Sequence, residues 1–150
     1  PEGSGPDTHY KVLQAIAEAI REWSKEADLS NVKIWGYRNV WYKFHPAEAT
    51  HIVPVSLNAM GVFSNAFENC YLSQVDASFP SPKFDGKFSD YARKIWVDQL
   101  AYTGNLLGKP FFYQNKSPRL RTTHGLLFFK EMTANEFLKQ ARELEKSIGG

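Results

Sequence analysis

Residues 109–124 form a basic, aromatic stretch that contains no acidic side chain. Its cations include Lys116, Arg119 and Arg121, and cations of this type neutralise phosphates while neighbouring aromatic rings stack on nucleic-acid bases. The sequence therefore predicts that these three side chains bind a nucleic acid or an acidic protein segment. The alternative is a solvated hairpin loop beside two buried strands, with residues 111–113 in the core.

A second segment without acidic residues spans positions 30–47 and includes a predicted strand. Because side chains alternate across a strand, Trp41 and Lys43 share the face opposite to its apolar residues. Together with Arg38, this face has the composition of a surface that stacks bases and binds phosphates. Arg38, Trp41 and Lys43 are therefore the second group of candidate binding residues. If helices cover both faces of the sheet, Trp41 is instead a packing residue.

His51 begins the run His-Ile-Val-Pro. This run resembles the His-Ile-Val-Pro element of HNH-type nucleases, in which a strand histidine acts as general base beside a metal ion. The resemblance covers four residues, and it implies Asn65 or Asn69 as the counterpart of the family's asparagine. Residues 49–50 are Ala-Thr where the family has an acidic or histidine residue, and the next histidine is His124. The resemblance implies a metal-dependent hydrolase as an alternative function.

Cys70 is the single cysteine of the chain. One cysteine forms no intramolecular disulfide and cannot supply a multi-cysteine zinc site. Cys70 could act as a nucleophile beside a histidine, but the apolar pattern around it favours a small buried hydrophobic side chain. Asp85 and Asp90 could coordinate a cation, whereas a loop position and a helix N-cap are the ordinary roles for such residues. The sequence therefore predicts no catalytic residue, no metal ligand and no cofactor.

The composition is typical of a folded domain whose charge is unevenly distributed. The 150 residues are 43% hydrophobic and 15% aromatic, and the formal net charge is +2. This share of core-forming side chains excludes intrinsic disorder, and a chain of this length buries about 70% of its extended surface. No apolar run approaches the roughly 18 residues that cross a bilayer, so no membrane partner is expected.

Hydrophobic periodicity predicts an α+β fold. Apolar stripes indicate three amphipathic helices, the last with a capping box formed by Thr133 and Glu136. The predicted strands cover residues 32–37, 40–45, 51–57, 60–64, 69–75, 111–113 and 126–129. The expected architecture is one domain over residues 8–150, with an antiparallel sheet of about five to seven strands in the order α-β(4–5)-α-β-β-α. Residues 1–7 have the composition of a linker or an expression remnant.

The leading interpretation is a non-enzymatic binding module that contacts nucleic acid or an acidic protein through a basic, aromatic surface. One alternative is the metal-dependent hydrolase around His51. The other is a structural or partner-binding domain, since the order of elements resembles that of small secretion chaperones. A cytoplasmic location is expected from the single cysteine, and the sequence predicts no oligomeric state.

Overall fold

The computed structural model describes residues 8–37, 44–75 and 86–148. Its α-helices are α1 (Thr8–Trp23), α2 (Leu57–Cys70), α3 (Phe88–Leu107), α4 (Pro110–Tyr113), α5 (Pro118–Arg121) and α6 (Ala134–Ile148). Its strands are β1 (Lys33–Tyr37), β2 (His51–Ser56) and β3 (Thr123–Thr133). Two short 3-10 turns, Pro46–Glu48 and Leu72–Gln74, complete the regular structure of these ranges. The predicted α+β class is confirmed.

The strands form one sheet in the order β1-β3-β2. Strand β2 is antiparallel to β3, with His51 opposite Phe129 and Pro54 opposite Leu126. Proline lacks the N–H that a ladder requires, and β2 is an outer strand of the described sheet, where this loss is tolerated. The described residues contain three strands, so the predicted sheet of five to seven strands is wrong.

Helix α2 covers the predicted strand at residues 60–64 and the first two residues of the predicted strand at 69–75, and the 3-10 turn Leu72–Gln74 covers three more, so both predicted strands are wrong. Ser56 accepts a hydrogen bond from the backbone N–H of Ala59 at 3.1 Å and thereby caps the helix. The apolar side chains that follow recur at helical spacing, which places Met60 in the core. Of the predicted strand 40–45, residues 40–43 lie outside the described residues.

The chain divides into two compact units, of which unit 1 combines Pro1–Gly36 with Glu131–Gly150. Its core consists of Ala17 from α1 and Phe137 and Ala141 from α6, all of them buried. The predicted capping box begins α6: Thr133 Oγ1 accepts from the backbone N–H of Glu136 at 3.2 Å, and the Glu136 carboxylate accepts from the backbone N–H of Thr133 at 2.7 Å.

Unit 2 is the continuous segment Tyr37–Lys130. Its core contains Ala92 and Ile95 from α3, against which Phe63 and Trp96 pack. The two rings lie 5.0 Å apart between centroids. One domain over residues 8–150 stays a prediction. None of the helices in the described ranges is both long and apolar enough to cross a membrane.

Candidate functional site

The basic stretch between α3 and β3 folds into two single helical turns, α4 and α5. Each turn begins with a proline, Pro110 or Pro118, whose fixed φ and missing N–H suit the first position of a helix. Gly108 ends α3 with a φ of 83°, a conformation that other residues rarely adopt. The predicted strand at residues 111–113 is therefore wrong, because local turn chemistry outweighs the β-propensity of three consecutive aromatic residues.

Arg121 ties the two turns together. Its Nη1 donates to the backbone carbonyl of Asn115 at 2.9 Å and to that of Lys116 at 3.0 Å. The side chain of Asn115 in turn accepts from the backbone N–H of Ser117 at 2.9 Å. Arg121 makes no hydrogen bond through Nε or Nη2 to any residue that the structure describes. The guanidinium therefore stabilises the segment between α4 and α5 through Nη1, and its Nε and Nη2 groups can donate to a further partner.

Four cations of this segment lack a carboxylate partner among the described residues: Lys109, Lys116, Arg119 and Arg121. All four side chains are exposed. The cause lies in the sequence, since no Asp or Glu occurs between Gln99 and Lys130. Charges of one sign that are not neutralised locally raise the surface potential and attract anions.

A cavity of about 470 Å³ opens between α3 and these two turns, and we call it the cationic cavity. Lys109 and Arg121 supply its charges, and Phe112 and Tyr113 supply its aromatic wall. The α3 side of the cavity is formed by Leu100, Ala101, Gly104 and Asn105. Tyr113 is 56% exposed, and Phe111, two residues earlier in α4, is 45% exposed. An accessible ring, that of Tyr113, therefore lies in the same cavity wall as two cations that have no carboxylate partner in the described ranges.

Lys116 and Arg119 lie on the same two turns but are not among the residues that line the cavity. Of the three cations predicted in this segment, the cavity therefore includes Arg121 alone. Lys109 lines it as well, although it was not among the predicted binding residues.

The second predicted group, Arg38, Trp41 and Lys43, lies outside the described residues. The described parts of that segment are residues 30–37, which include β1, and residues 44–47, which lead into the 3-10 turn Pro46–Glu48. Trp35 is half exposed, and its Nε1 donates to the Glu131 carboxylate at 2.9 Å. Both residues belong to unit 1.

His51 begins β2 and is half buried. Its Nδ1 lies 3.1 Å from Oγ1 of Thr50. The asparagines implied by the nuclease resemblance bind each other, since Nδ2 of Asn69 donates to the Asn65 side-chain oxygen at 2.6 Å. Within residues 8–37, 44–75 and 86–148, no three His, Cys, Asp or Glu side chains are grouped to hold a metal ion.

Two further candidates have ordinary surroundings. Cys70 is the last residue of α2 and is exposed, so the expectation of a buried side chain is wrong. Asp90 lies in the first turn of α3, where a negative charge favours the helix dipole, and pairs with Arg93 at 3.7 Å. Asp85 lies outside the described residues.

A second cavity, of about 600 Å³, was not predicted from the sequence, and we call it the aromatic cavity. Its wall includes Phe44, His45, Tyr102 and Phe128. Gln99 also lines it and is 7% exposed. Gln99 occupies a position on the buried face of α3, four residues after Ile95. The one feature of the sequence that indicates this cavity is Gln99 itself, a polar side chain at a position where the helical pattern of α3 predicts an apolar one.

The comparisons with known proteins give no family. No family model, curated protein or solved structure matches this chain. The function must therefore be argued from the charges, the rings and the cavities of unit 2.

Proposed function

We propose that unit 2 is a non-enzymatic binding module for single-stranded nucleic acid, with its contact surface at the cationic cavity and the turns α4 and α5. The observation that carries this proposal is a set of four exposed cations on one segment, none of which has a carboxylate partner among the described residues. Two of them line a cavity together with the half-exposed ring of Tyr113.

The charges provide the affinity for phosphates. Lys116 and Arg119 are exposed on the turns, and Lys109 and Arg121 lie at the cavity. Each phosphate that such a cation neutralises releases counterions, which lowers log K by roughly 0.7 per tenfold increase in salt for a single strand. Four contacts therefore correspond to a slope of about −3.

The rings favour a single strand over a duplex. Tyr113 and Phe111 expose about half of their surface, and an unpaired base can stack on either ring. Such stacking contributes about 1–3 kcal/mol per base, whereas the bases of a duplex are already stacked on each other. An acidic protein segment would use the same cations, but it would gain nothing from a flat ring.

We propose separately that Arg38, Trp41 and Lys43, which lie outside the described ranges, extend the same kind of contact, because two of them are cations and the third is aromatic.

Fluorescence anisotropy with a labelled single strand of about 12 nucleotides tests the proposal. The double variant Lys116→Ala/Arg119→Ala should weaken binding at low salt and make the salt slope shallower by about 1.4, because two phosphate contacts are lost. The matched control is Lys139→Ala/Arg142→Ala, which removes two exposed cations from α6 in unit 1.

A duplex of the same sequence and an acidic peptide of similar charge complete the experiment. The proposal expects the single strand to bind most tightly. It fails if affinity is insensitive to salt, or if Lys116→Ala/Arg119→Ala weakens binding no more than the control Lys139→Ala/Arg142→Ala does. Tighter binding of the acidic peptide would instead assign the surface to a protein partner.

A further inference from the structure

The aromatic cavity is lined by a residue whose side chain carries a buried polar atom. Gln99 is 7% exposed, and its side-chain carbonyl oxygen is buried and makes no hydrogen bond to any residue that the structure describes. A buried acceptor without a donor costs about 1–3 kcal/mol. The backbone carbonyl of the same residue is satisfied, because Thr103 Oγ1 donates to it at 2.8 Å. The unsatisfied atom of Gln99 is therefore its side-chain carbonyl oxygen.

The remaining wall of the aromatic cavity suits a flat ring. Phe128 is 2% exposed and belongs to the packed core, so this part of the wall is rigid. The rings of His45 and Tyr102 meet edge to face with centroids 6.3 Å apart. Nδ1 of His45 accepts from the backbone N–H of Ala47 at 3.2 Å, which fixes the orientation of the imidazole.

The volume and the polar groups limit the class of ligand. A cavity of about 600 Å³ lies within the roughly 300–1,000 Å³ that small-molecule sites occupy. Aromatic walls require a planar ring, and the Gln99 carbonyl requires an N–H donor on that ring. Asn105, which is exposed and has no hydrogen-bond partner among the described residues, offers a second amide. Nucleobases combine these properties.

The aromatic cavity and the cationic cavity share two residues of α3. Ala101 and Asn105, one helical turn apart, line both of them. A strand whose phosphates contact Lys109 and Arg121 would therefore lie beside residues that also line the aromatic cavity. Recognition of single strands commonly uses bases that are turned out of the stack into such pockets.

We infer that the aromatic cavity is a base-binding subsite, in which the side chain of Gln99 turns toward the cavity and its carbonyl oxygen accepts a hydrogen bond from one unstacked nucleobase. The inference rests on the proposed function for the polymer that supplies the base. The subsite itself can be tested without a polymer.

The experiment compares three strands of about eight sugars that carry the same phosphates. One has a single central thymine among abasic sugars, the second has N3-methylthymine at that position, and the third is fully abasic. Thymine has one N–H donor in a strand, and the methyl group removes it. We expect thymine to bind about five- to tenfold more tightly than either other strand, the usual effect of one hydrogen bond.

Gln99→Leu should abolish this preference while leaving the affinity for the abasic strand unchanged. The variant removes a buried unsatisfied carbonyl and keeps a similar volume, so it should fold. Gln140→Leu, at an exposed position of α6, is the matched control and should retain the preference. Equal affinities for all three strands, or a preference that survives Gln99→Leu, would overturn the inference while the proposed function stands.

If no strand binds, free thymidine separates the two proposals. A shift of the Gln99 side-chain amide resonances by thymidine but not by N3-methylthymidine would support the subsite while the proposed function fails. Absence of a shift with both nucleosides, together with absence of strand binding, would overturn the inference as well.

Discussion

The guanidinium of Arg121 donates to the backbone carbonyl of Asn115 at 2.9 Å, and the same nitrogen reaches the carbonyl of Lys116. Arg121, whose guanidinium is suited to bind phosphate, therefore also stabilises the backbone between α4 and α5. Loss of Arg121 should change shape as well as charge, whereas loss of Arg119 should change charge alone.

Replacement of Arg121 by lysine separates these two contributions. Lysine keeps the charge but not the planar set of donors, so the connection between α4 and α5 should loosen. We expect faster amide hydrogen exchange at Leu120 and Arg121, whose N–H groups bind the Ser117 carbonyl. The free energy of unfolding should fall by about 1 kcal/mol. Arg119→Lys is the control, and equal exchange rates in the two variants would contradict this role.

Stacking at the exposed edge of the cationic cavity predicts that Tyr113→Ala weakens binding of a single strand by about 1–3 kcal/mol. Tyr113→Phe keeps the ring and should retain most of the affinity. Anisotropy titrations of both variants measure the difference. If Tyr113→Phe loses as much affinity as Tyr113→Ala, the hydroxyl rather than the ring is responsible.

Gly125 of β3 is required by close packing in unit 2. A Cβ atom at this position would lie 2.5 Å from the terminal methyl of Met60 and 2.9 Å from Cβ of Trp96. Gly125→Ala should therefore lower the free energy of unfolding by about 1–3 kcal/mol. Chemical denaturation measures this change.

Gly61 provides the opposite control. It lies within α2, and a Cβ there would meet no atom within 4 Å. Gly61→Ala should raise the stability by about 0.5–1 kcal/mol, because alanine loses less conformational entropy in a helix. Destabilisation by both substitutions to the same extent would contradict the packing argument.

The capping box of α6 predicts a cost for Thr133→Ala of about 1 kcal/mol in the free energy of unfolding. The substitution removes the acceptor for the Glu136 N–H and leaves a helix terminus unsatisfied. Thermal and chemical denaturation should show the loss, whereas Glu136→Gln, which can still bind the Thr133 N–H, should have a smaller effect. An unchanged midpoint for Thr133→Ala would show that the cap contributes nothing.

Local signals in the sequence predict some elements of this fold well. The start of α6 is encoded by two side chains three residues apart, and β1 and β2 by short runs of β-branched and aromatic residues. Helix α2 was missed because Met60–Ser64 was interpreted as a strand, although Ser56 is a good N-cap and Met60, Phe63 and Phe67 follow at helical spacing. Proline placement at 110 and 118 would have indicated turns in the same way.

The candidate site is harder to predict from the sequence than the helices and strands are. The cations of residues 116–121 are visible in the sequence because charge is a local property. The cavities are not, because α3 and the segments beside it meet only in the folded chain. Gln99 shows the difference: its position on the apolar face of α3 can be inferred from spacing, but the absence of a partner for its amide depends on the tertiary packing.

The division of the chain has a consequence for the order of events during synthesis. Unit 2 is continuous, so all of its residues are translated before residues 131–150, which complete unit 1. Helix α1 precedes unit 2 in the chain, but α6, which packs against Ala17, is translated after all of unit 2. The apolar stripe of α1 therefore remains uncovered by α6, and accessible to a chaperone, until that helix has been synthesised. A nascent chain arrested before α6 should be the species most prone to aggregate.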